Sequence, residues 1–339
     1  MFQPEEIYKL DIETTNSCNA LCPQCVRTPK DGTFSNLNAF LNFDVFKNQV
    51  SPEFLNHIQY TKFNGATGDN AMHPDIIKFC RYVLEHSPGK FMLGTNGSMR
   101  NHDFWEELGR TIIRDNATVH FALDGMKNTH SLYRVNTDWE RIISHAESFI
   151  QAGGNAVWQM VVFKHNQHQI NDCEVLSKKL GFKRFEYLLS DRFGPTSEAD
   201  VYSKGVFSHK IEKATIDNSE GNTVKLYNQF NKLKIDCESR DVKWISIYAD
   251  GTVWPCCYLL GAHMWPDHST INKATKIHLK KYLKLDQFDH INLHYHKIED
   301  IIKNEFYQKI LPESIDNNPN PVCINMCRIE NRIYDKNRT

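Results

Sequence analysis

Three cysteines stand within eight residues near the start of the chain, in Asn16-Ser17-Cys18-Asn19-Ala20-Leu21-Cys22-Pro23-Gln24-Cys25. Five more, Cys237, Cys256, Cys257, Cys323 and Cys327, occupy the last third. Thiolates are soft ligands, and two such groups point to two metal sites. A structural zinc site is closed by four ligands, yet the first histidine of the chain is His57, so no fourth ligand stands beside the early trio. Three thiolates suit an iron–sulfur cluster with one iron free for a non-protein ligand. The alternative is a zinc site completed by a distant histidine. Cys80 and Cys173 fall on the apolar faces of expected helices and read as small buried hydrophobes.

Composition narrows the classes. Forty Lys and Arg balance 41 Asp and Glu over 339 residues, for a formal charge of −1. Such a balance gives no general attraction to nucleic acid or anionic lipid, and neither is expected as a partner. With 40% hydrophobic and 12% aromatic residues, the chain can build a packed core, which excludes a mainly disordered protein. No apolar run approaches a membrane span. The first residues, Met1-Phe2-Gln3-Pro4-Glu5-Glu6, lack a basic start and apolar stretch of a secretory signal. The expected compartment is the cytoplasm, where ten cysteines do not form a disulfide scaffold.

The elements that must position the first thiols come as βα repeats. Strands are expected over residues 7–13, 57–63, 90–93, 118–123, 156–163 and 184–189, with helical spacing over 43–55, 74–86, 103–114, 139–152 and 172–180. Pro74 suits a first helical turn. Parallel strands need helical crossovers, so the pattern predicts a parallel sheet with helices outside it, closed as a partial or open (β/α) barrel. Active sites of such folds form at the carboxyl ends of the strands, and the early cysteines lie in the first of those loops. Residues 191–235 read as a polar connection with one helix near 224–233. Beyond them, residues 243–248 alternate, Asp250-Gly251 marks a hairpin turn, and residues 252–255 run into Cys256-Cys257. A helix is expected over 298–311.

The CxxxCxxC spacing in the loop after the first strand resembles the radical S-adenosylmethionine superfamily, whose fold is a partial (β/α)6 TIM-like barrel. The resemblance implies a [4Fe–4S] cluster on Cys18, Cys22 and Cys25, with S-adenosylmethionine chelating the free iron and cleaved to a 5′-deoxyadenosyl radical. The family usually has an aromatic residue before the third cysteine; here it is Gln24. Its Gly-Gly-Glu motif after strand two, which receives the methionine amino group, is replaced by Thr67-Gly68-Asp69. Thr95-Asn96-Gly97 resembles the family's Thr-Asn-Gly after strand three, which brings in Asn96. Leu123-Asp124-Gly125 resembles its Asp-Gly turn after strand four, though the serine often found before that turn is Ala122. Arg134 falls where related peptide-modifying enzymes place an arginine on the cofactor carboxylate, a group suited to bidentate contact.

Cys237, Gly251 and Cys256 make the spacing Cx13Gx4C, and Cys323 with Cys327 can complete four ligands. This resembles the SPASM extension of the superfamily, more closely its shorter twitch form, which implies one auxiliary [4Fe–4S] cluster in a small α+β domain of a β-hairpin plus helix. The Gly-x4-Cys count selects Cys256 over Cys257, and a closed zinc site is the alternative. The implied organisation is a radical domain over 1–200, a linker over 201–235 and the auxiliary domain over 236–339. The resemblance implies an oxidoreductase-type enzyme that modifies a peptide or protein side chain, with a flavodoxin- or ferredoxin-like electron donor. The chain begins within seven residues of its first strand, without a separate peptide-docking domain, which favours the alternative of a small-molecule dehydrogenase. A non-catalytic zinc or iron–sulfur protein is the reading from another class.

Overall fold

The computed structural model describes residues 2–28, 38–190, 192–193, 196–203, 205–216, 235–264, 270–282 and 288–327. Six strands, β1 (Lys9–Ile12), β2 (Tyr60–Phe63), β3 (Lys90–Thr95), β4 (Ala117–Ala122), β5 (Ala156–Val162) and β6 (Arg184–Leu189), pair in parallel and in sequence order. Their crossovers carry α1 (Phe43–Gln49), α2 (Pro52–His57), α3 (Ile76–His86), α4 (His102–Thr111), α5 (Lys127–Tyr133), α6 (Trp139–Gln151) and α7 (Ile170–Lys179). Leu10, Phe63, Phe91, Val119, Phe121 and Trp158 from the strands join Phe79, Trp105, Ile142 and Phe149 from the helices in one buried core. The expected partial (β/α)6 barrel is borne out.

Register matters for the site because β-strand side chains alternate between faces. Leu10, which joins that core, stands beside Thr61, whereas Asp11 stands beside Lys62 on one side and Ser246 on the other. One face of the sheet is therefore apolar under the helices, and the other carries polar side chains.

The later segments extend this sheet. After a two-stranded antiparallel pair, β7 (Glu198–Ser203) and β8 (Val206–Glu212), and a short α8 (Glu238–Asp241), strand β9 (Trp244–Ile247) pairs in parallel with β1, and β10 (Val253–Trp254) pairs antiparallel with β9. Gly251 takes φ +85° in the turn between them, as the Asp-Gly signal predicts. The remaining elements are α9 (Cys257–Met264), α10 (Thr270–Tyr282), α11 (Ile298–Lys303), α12 (Leu311–Asn317) and α13 (Pro321–Cys327). Among the described residues no helix is long and apolar enough to cross a membrane.

Several local expectations are corrected. The helix over 43–55 breaks in two because Ser51 caps a new start, accepting from Phe54 N at 3.0 Å with Pro52 in the first turn. Pro74 lies before α3 rather than in it. The helix over 298–311 stops at Lys303, where the Asn304 side chain accepts from Tyr307 N at 3.2 Å, before a π-turn over Phe306–Ile310 leads into α12. The connection over 191–235 contains the unanticipated β7–β8 pair; the helix expected near 224–233 lies outside the described residues.

Candidate active site and the two thiol groups

The first trio lies directly after β1, where the backbone leaves the sheet. Thr15 Oγ1 donates to Ala39 O at 2.9 Å, Asp69 N to Ser17 O at 2.8 Å, and Leu21 N to Val135 O at 2.9 Å, so loops from several strands fix this segment. Cys22 is buried and Cys18 and Cys25 are half-buried, all three free thiols. They pack against Tyr133, Phe163, Phe193, Val201 and Ile211. The last two belong to the β7–β8 pair, which gives that missed element a role as part of the wall beside the thiols. Ala20 N and Asn96 Nδ2 approach Cys18 Sγ at 3.4 and 3.6 Å, and Arg134 Nη1 approaches Cys22 Sγ at 3.8 Å. Burial pushes the Cys18 thiol up to about 12 and that of Cys22 up to about 11. Thiolates in such surroundings need a cationic partner, which a coordinating iron provides. Three soft donors with N–H groups aimed at two of them fit an iron–sulfur cluster held at three corners.

Loops after β2 and β3 are tied to each other by Asp69. Its Oδ1 accepts from Ala71 N at 2.9 Å and Thr95 Oγ1 at 2.8 Å, and its Oδ2 from Asn96 N at 2.7 Å. Burial raises its pKa against those three bonds, which lower it. Asn96 in turn donates from Nδ2 to Asn19 Oδ1 at 2.9 Å beside Cys18. Gly68 lies so close to the segment after β1 that a Cβ there would collide with the Thr15 carbonyl, which explains glycine at this position. Thr67 donates from both its backbone nitrogen and its hydroxyl to Glu13, at 3.0 and 2.9 Å.

After β4, Asp124 and Arg134 form a 2.6 Å ion pair with no side-chain exposure on the acid. Asp124 Oδ1 also accepts from Val161 N at 2.6 Å on β5. Burial alone would lower the Arg134 pKa, but Asp124 and then Cys22 outweigh it and hold the guanidinium firmly charged. His130 completes this corner. Thr137 Oγ1 donates to Arg134 O at 2.6 Å, so His130 Nε2 donates to that hydroxyl at 2.9 Å while its Nδ1 accepts from Asp124 N at 3.2 Å. The ring is neutral, with burial lowering its pKa to about 4.

Sequence reasoning missed Glu13, His130 and the task of Gln24. Gln24 Oε1 accepts from Ser190 Oγ at 3.1 Å and its Nε2 donates to Arg192 O at 3.2 Å, so it bridges to the segment after β6. Only Glu13 carried a readable signal, as an acid within the first strand beside the cysteine loop.

The second thiol group is assembled from distant pieces. Cys237 precedes α8, where the backbone N–H groups of Arg240 and Ser239 lower a thiol pKa that burial raises. Cys323 and Cys327 lie one turn apart on α13, and Asp236 N donates to Cys327 O at 2.8 Å. Burial holds Cys256 well above the ordinary range, reinforced by its neighbours Cys257, Cys323 and Cys237; Cys323, at about 12, feels Cys237 and Cys327. Cys257 differs: after burial, the groups acting on it are Asp11, Glu13 and Lys9 of the β1 segment. Its thiol therefore lies within electrostatic reach of the β1 segment as well as of Cys256. Among the described residues no group of three or more His, Cys, Asp or Glu is close enough to hold a single metal ion.

No family model and no curated protein sequence matches the chain. Solved structures do. SuiB of Streptococcus suis, bound to precursor peptide SuiA, matches at TM-score 0.51 and 14% identity over 92% of this chain and 65% of SuiB. Native anSMEcpe with bound AdoMet matches at TM-score 0.51 and 15% identity, over 89% of this chain and 82% of that one. BtrN in complex with AdoMet and 2-DOIA matches at TM-score 0.48 and 11% identity over 97% of each chain. The chain spans less than two thirds of the SuiB length. What is shared at these identities is the fold, the one anticipated from the first cysteine motif.

Proposed function

We propose that this protein is a radical S-adenosylmethionine enzyme with one auxiliary [4Fe–4S] cluster, and that it oxidatively modifies a peptide or protein side chain. The observation that carries the reading is the convergence of Cys18, Cys22 and Cys25 with Asp69, Asn96, Asp124 and Arg134, contributed by the loops after β1, β2, β3 and β4. The fold shared with AdoMet-bound anSMEcpe supports the cofactor. That shared with peptide-bound SuiB supports the substrate class.

When bound, a [4Fe–4S] cluster with S-adenosylmethionine on its open iron supplies a 5′-deoxyadenosyl radical. The residues of the chain bind and orient. Arg134, kept cationic by Asp124, is the group for the methionine carboxylate, and neutral His130 fixes the Asp124 turn without adding charge. Asp69 and Gly68 hold the loop that receives the methionine ammonium. Tyr133, Phe163, Phe193, Val201 and Ile211 keep water from the thiols. Cys237, Cys256, Cys323 and Cys327 form a closed set for the auxiliary cluster, whose role is electron acceptance or relay, with a flavodoxin- or ferredoxin-like protein as donor.

Reductant-dependent formation of 5′-deoxyadenosine by the anaerobically reconstituted protein tests this reading, with mass spectrometry of a peptide produced alongside it. Cofactor cleavage with a two-dalton loss or a new crosslink on the peptide supports it. Absence of cleavage from protein loaded with iron and sulfide contradicts it. Cleavage accompanied by a mass change only on a small molecule contradicts the substrate class.

A further inference from the structure

Glu13 is a buried acid at the end of β1 that the proposed chemistry does not use. It is 3% exposed. Its Oε1 accepts from Ala66 N at 3.0 Å, and its Oε2 from Thr67 N at 3.0 Å and Thr67 Oγ1 at 2.9 Å. Five residues later on the same segment comes Cys18. On the other side, Glu13 N donates to Ile247 O of β9 at 2.9 Å, and Asn16 Nδ2 donates to Tyr248 Oη at 3.3 Å. The carboxylate thus stands on rigid backbone, braced by two neighbouring strands, and grips the two peptide groups just before Gly68.

Those bonds fix more than position. In a trans peptide the carbonyl points opposite to the N–H, so turning the Ala66 and Thr67 N–H groups toward Glu13 turns the Gly65 and Ala66 carbonyls away from it. Carbonyl oxygens held in one direction are acceptors for an ammonium group. Burial raises the Glu13 pKa to about 7, while the bonds from Thr67 and Ala66 lower it and favour the carboxylate, whose bonds from N–H are about twice as strong as those of a neutral acceptor.

We propose that Glu13 is a positioning residue for S-adenosylmethionine: by holding the Ala66 and Thr67 amides it sets the loop after β2 to receive the ammonium of the methionine moiety. The inference rests on the reading that this site binds S-adenosylmethionine. Glu13→Gln keeps size and shape but places an NH2 group against an N–H donor, so at least one bond is lost.

The experiment measures dissociation constants of reconstituted wild-type and E13Q protein for S-adenosylmethionine and for 5′-methylthioadenosine, which lacks the amino acid portion. E13Q is expected to bind S-adenosylmethionine about 10- to 30-fold more weakly, the effect of one hydrogen bond to a charged group. Its affinity for 5′-methylthioadenosine is expected to change by less than about 2-fold, with unchanged iron content, because the contact concerns only the ammonium. Equal losses for both ligands, or no loss for either, overturn the inference. Should E13Q not fold, Thr67→Val decides: it removes the hydroxyl that bonds Glu13 and also meets Tyr248, keeps both backbone bonds, and is expected to weaken S-adenosylmethionine about 3- to 10-fold and leave 5′-methylthioadenosine unaffected; any other pattern overturns the inference. Failure of fully iron-loaded wild-type protein to bind S-adenosylmethionine would instead contradict the reading on which it rests.

Discussion

The two thiol groups are built in opposite ways. Cys18, Cys22 and Cys25 come from one loop and face polar side chains from three other loops, among them the buried Asp124–Arg134 pair. Cys237, Cys256, Cys323 and Cys327 come from three separate segments that meet within the continuous apolar core, with Cys237, Cys256 and Cys327 packed against it. In the proposed reading an open set of three takes a ligand from outside, whereas the four thiols drawn from distant segments complete their own cluster. The difference teaches where the proposed reactivity belongs: on the loop that the fold surrounds with directed donors and charges.

Removing the open set should have the largest effect. A Cys18, Cys22, Cys25 triple alanine variant is expected to lose all S-adenosylmethionine cleavage and about half of the iron bound after reconstitution, as read by iron assay and chromatography of the nucleoside products. Arg134→Lys comes next, because a point charge replaces a planar fork; S-adenosylmethionine affinity is expected to fall about 10- to 100-fold with iron content intact.

The closed set is sharpened by adjacent residues. Cys256→Ala is expected to lose most auxiliary iron and keep the first cluster, while Cys257→Ala, whose thiol is acted on by Asp11, Glu13 and Lys9, is expected to retain both. Equal losses from the two variants would erase the distinction drawn between these neighbours. In the packing that supports the open loop, Gly68→Ala is expected to cost about 1–3 kcal/mol by thermal or denaturant unfolding, because its Cβ meets the backbone of Thr15.

The smallest effect is on pH dependence. His130 is 1% exposed, with a pKa lowered from 6.5 to about 4. A histidine depressed in the folded state contributes stability that is full above its unfolded pKa and lost as pH falls through 6.5 toward 4. His130→Gln is expected to flatten the fall in unfolding midpoint between pH 7 and 5 by the equivalent of about 1–2 kcal/mol. Asp124 and Arg134 are the charged groups acting on that ring.

Legibility follows the same division. The barrel strands and the loop of three cysteines are encoded locally, by apolar runs and by spacing, and both were readable. Asp69, Asn96, Asp124 and Arg134 were identified by position after successive strands, but their partners were not: the bond from Asn96 N to Asp69 joins two loops that only the closed sheet brings together, and that from Arg134 to Asp124 forms because α5 folds the segment after β4 back on itself. His130 was invisible, since burial and partner define it and sequence shows neither, and Glu13 was legible only as an acid ending the expected first strand, not by its partners. The β7–β8 pair was missed because its segment is polar, with exposed Val206 and Phe207 and, among its described side chains, only Val201 and Ile211 buried, too little alternation to read as strands. The choice between Cys256 and Cys257 rested on a count along the chain, whereas in the structure the two differ in the groups that act on each: Cys323 and Cys237 on Cys256, and Asp11, Glu13 and Lys9 on Cys257.

The contrast between an open and a closed cluster is tested most directly by electron paramagnetic resonance of the reduced, reconstituted protein with and without S-adenosylmethionine. About eight irons per chain are expected, as two [4Fe–4S] clusters. Adding S-adenosylmethionine should shift the signal of one cluster, the one absent from the triple alanine variant, and leave the other unchanged. Two unresponsive clusters, two responsive ones, or zinc in place of iron would contradict the account.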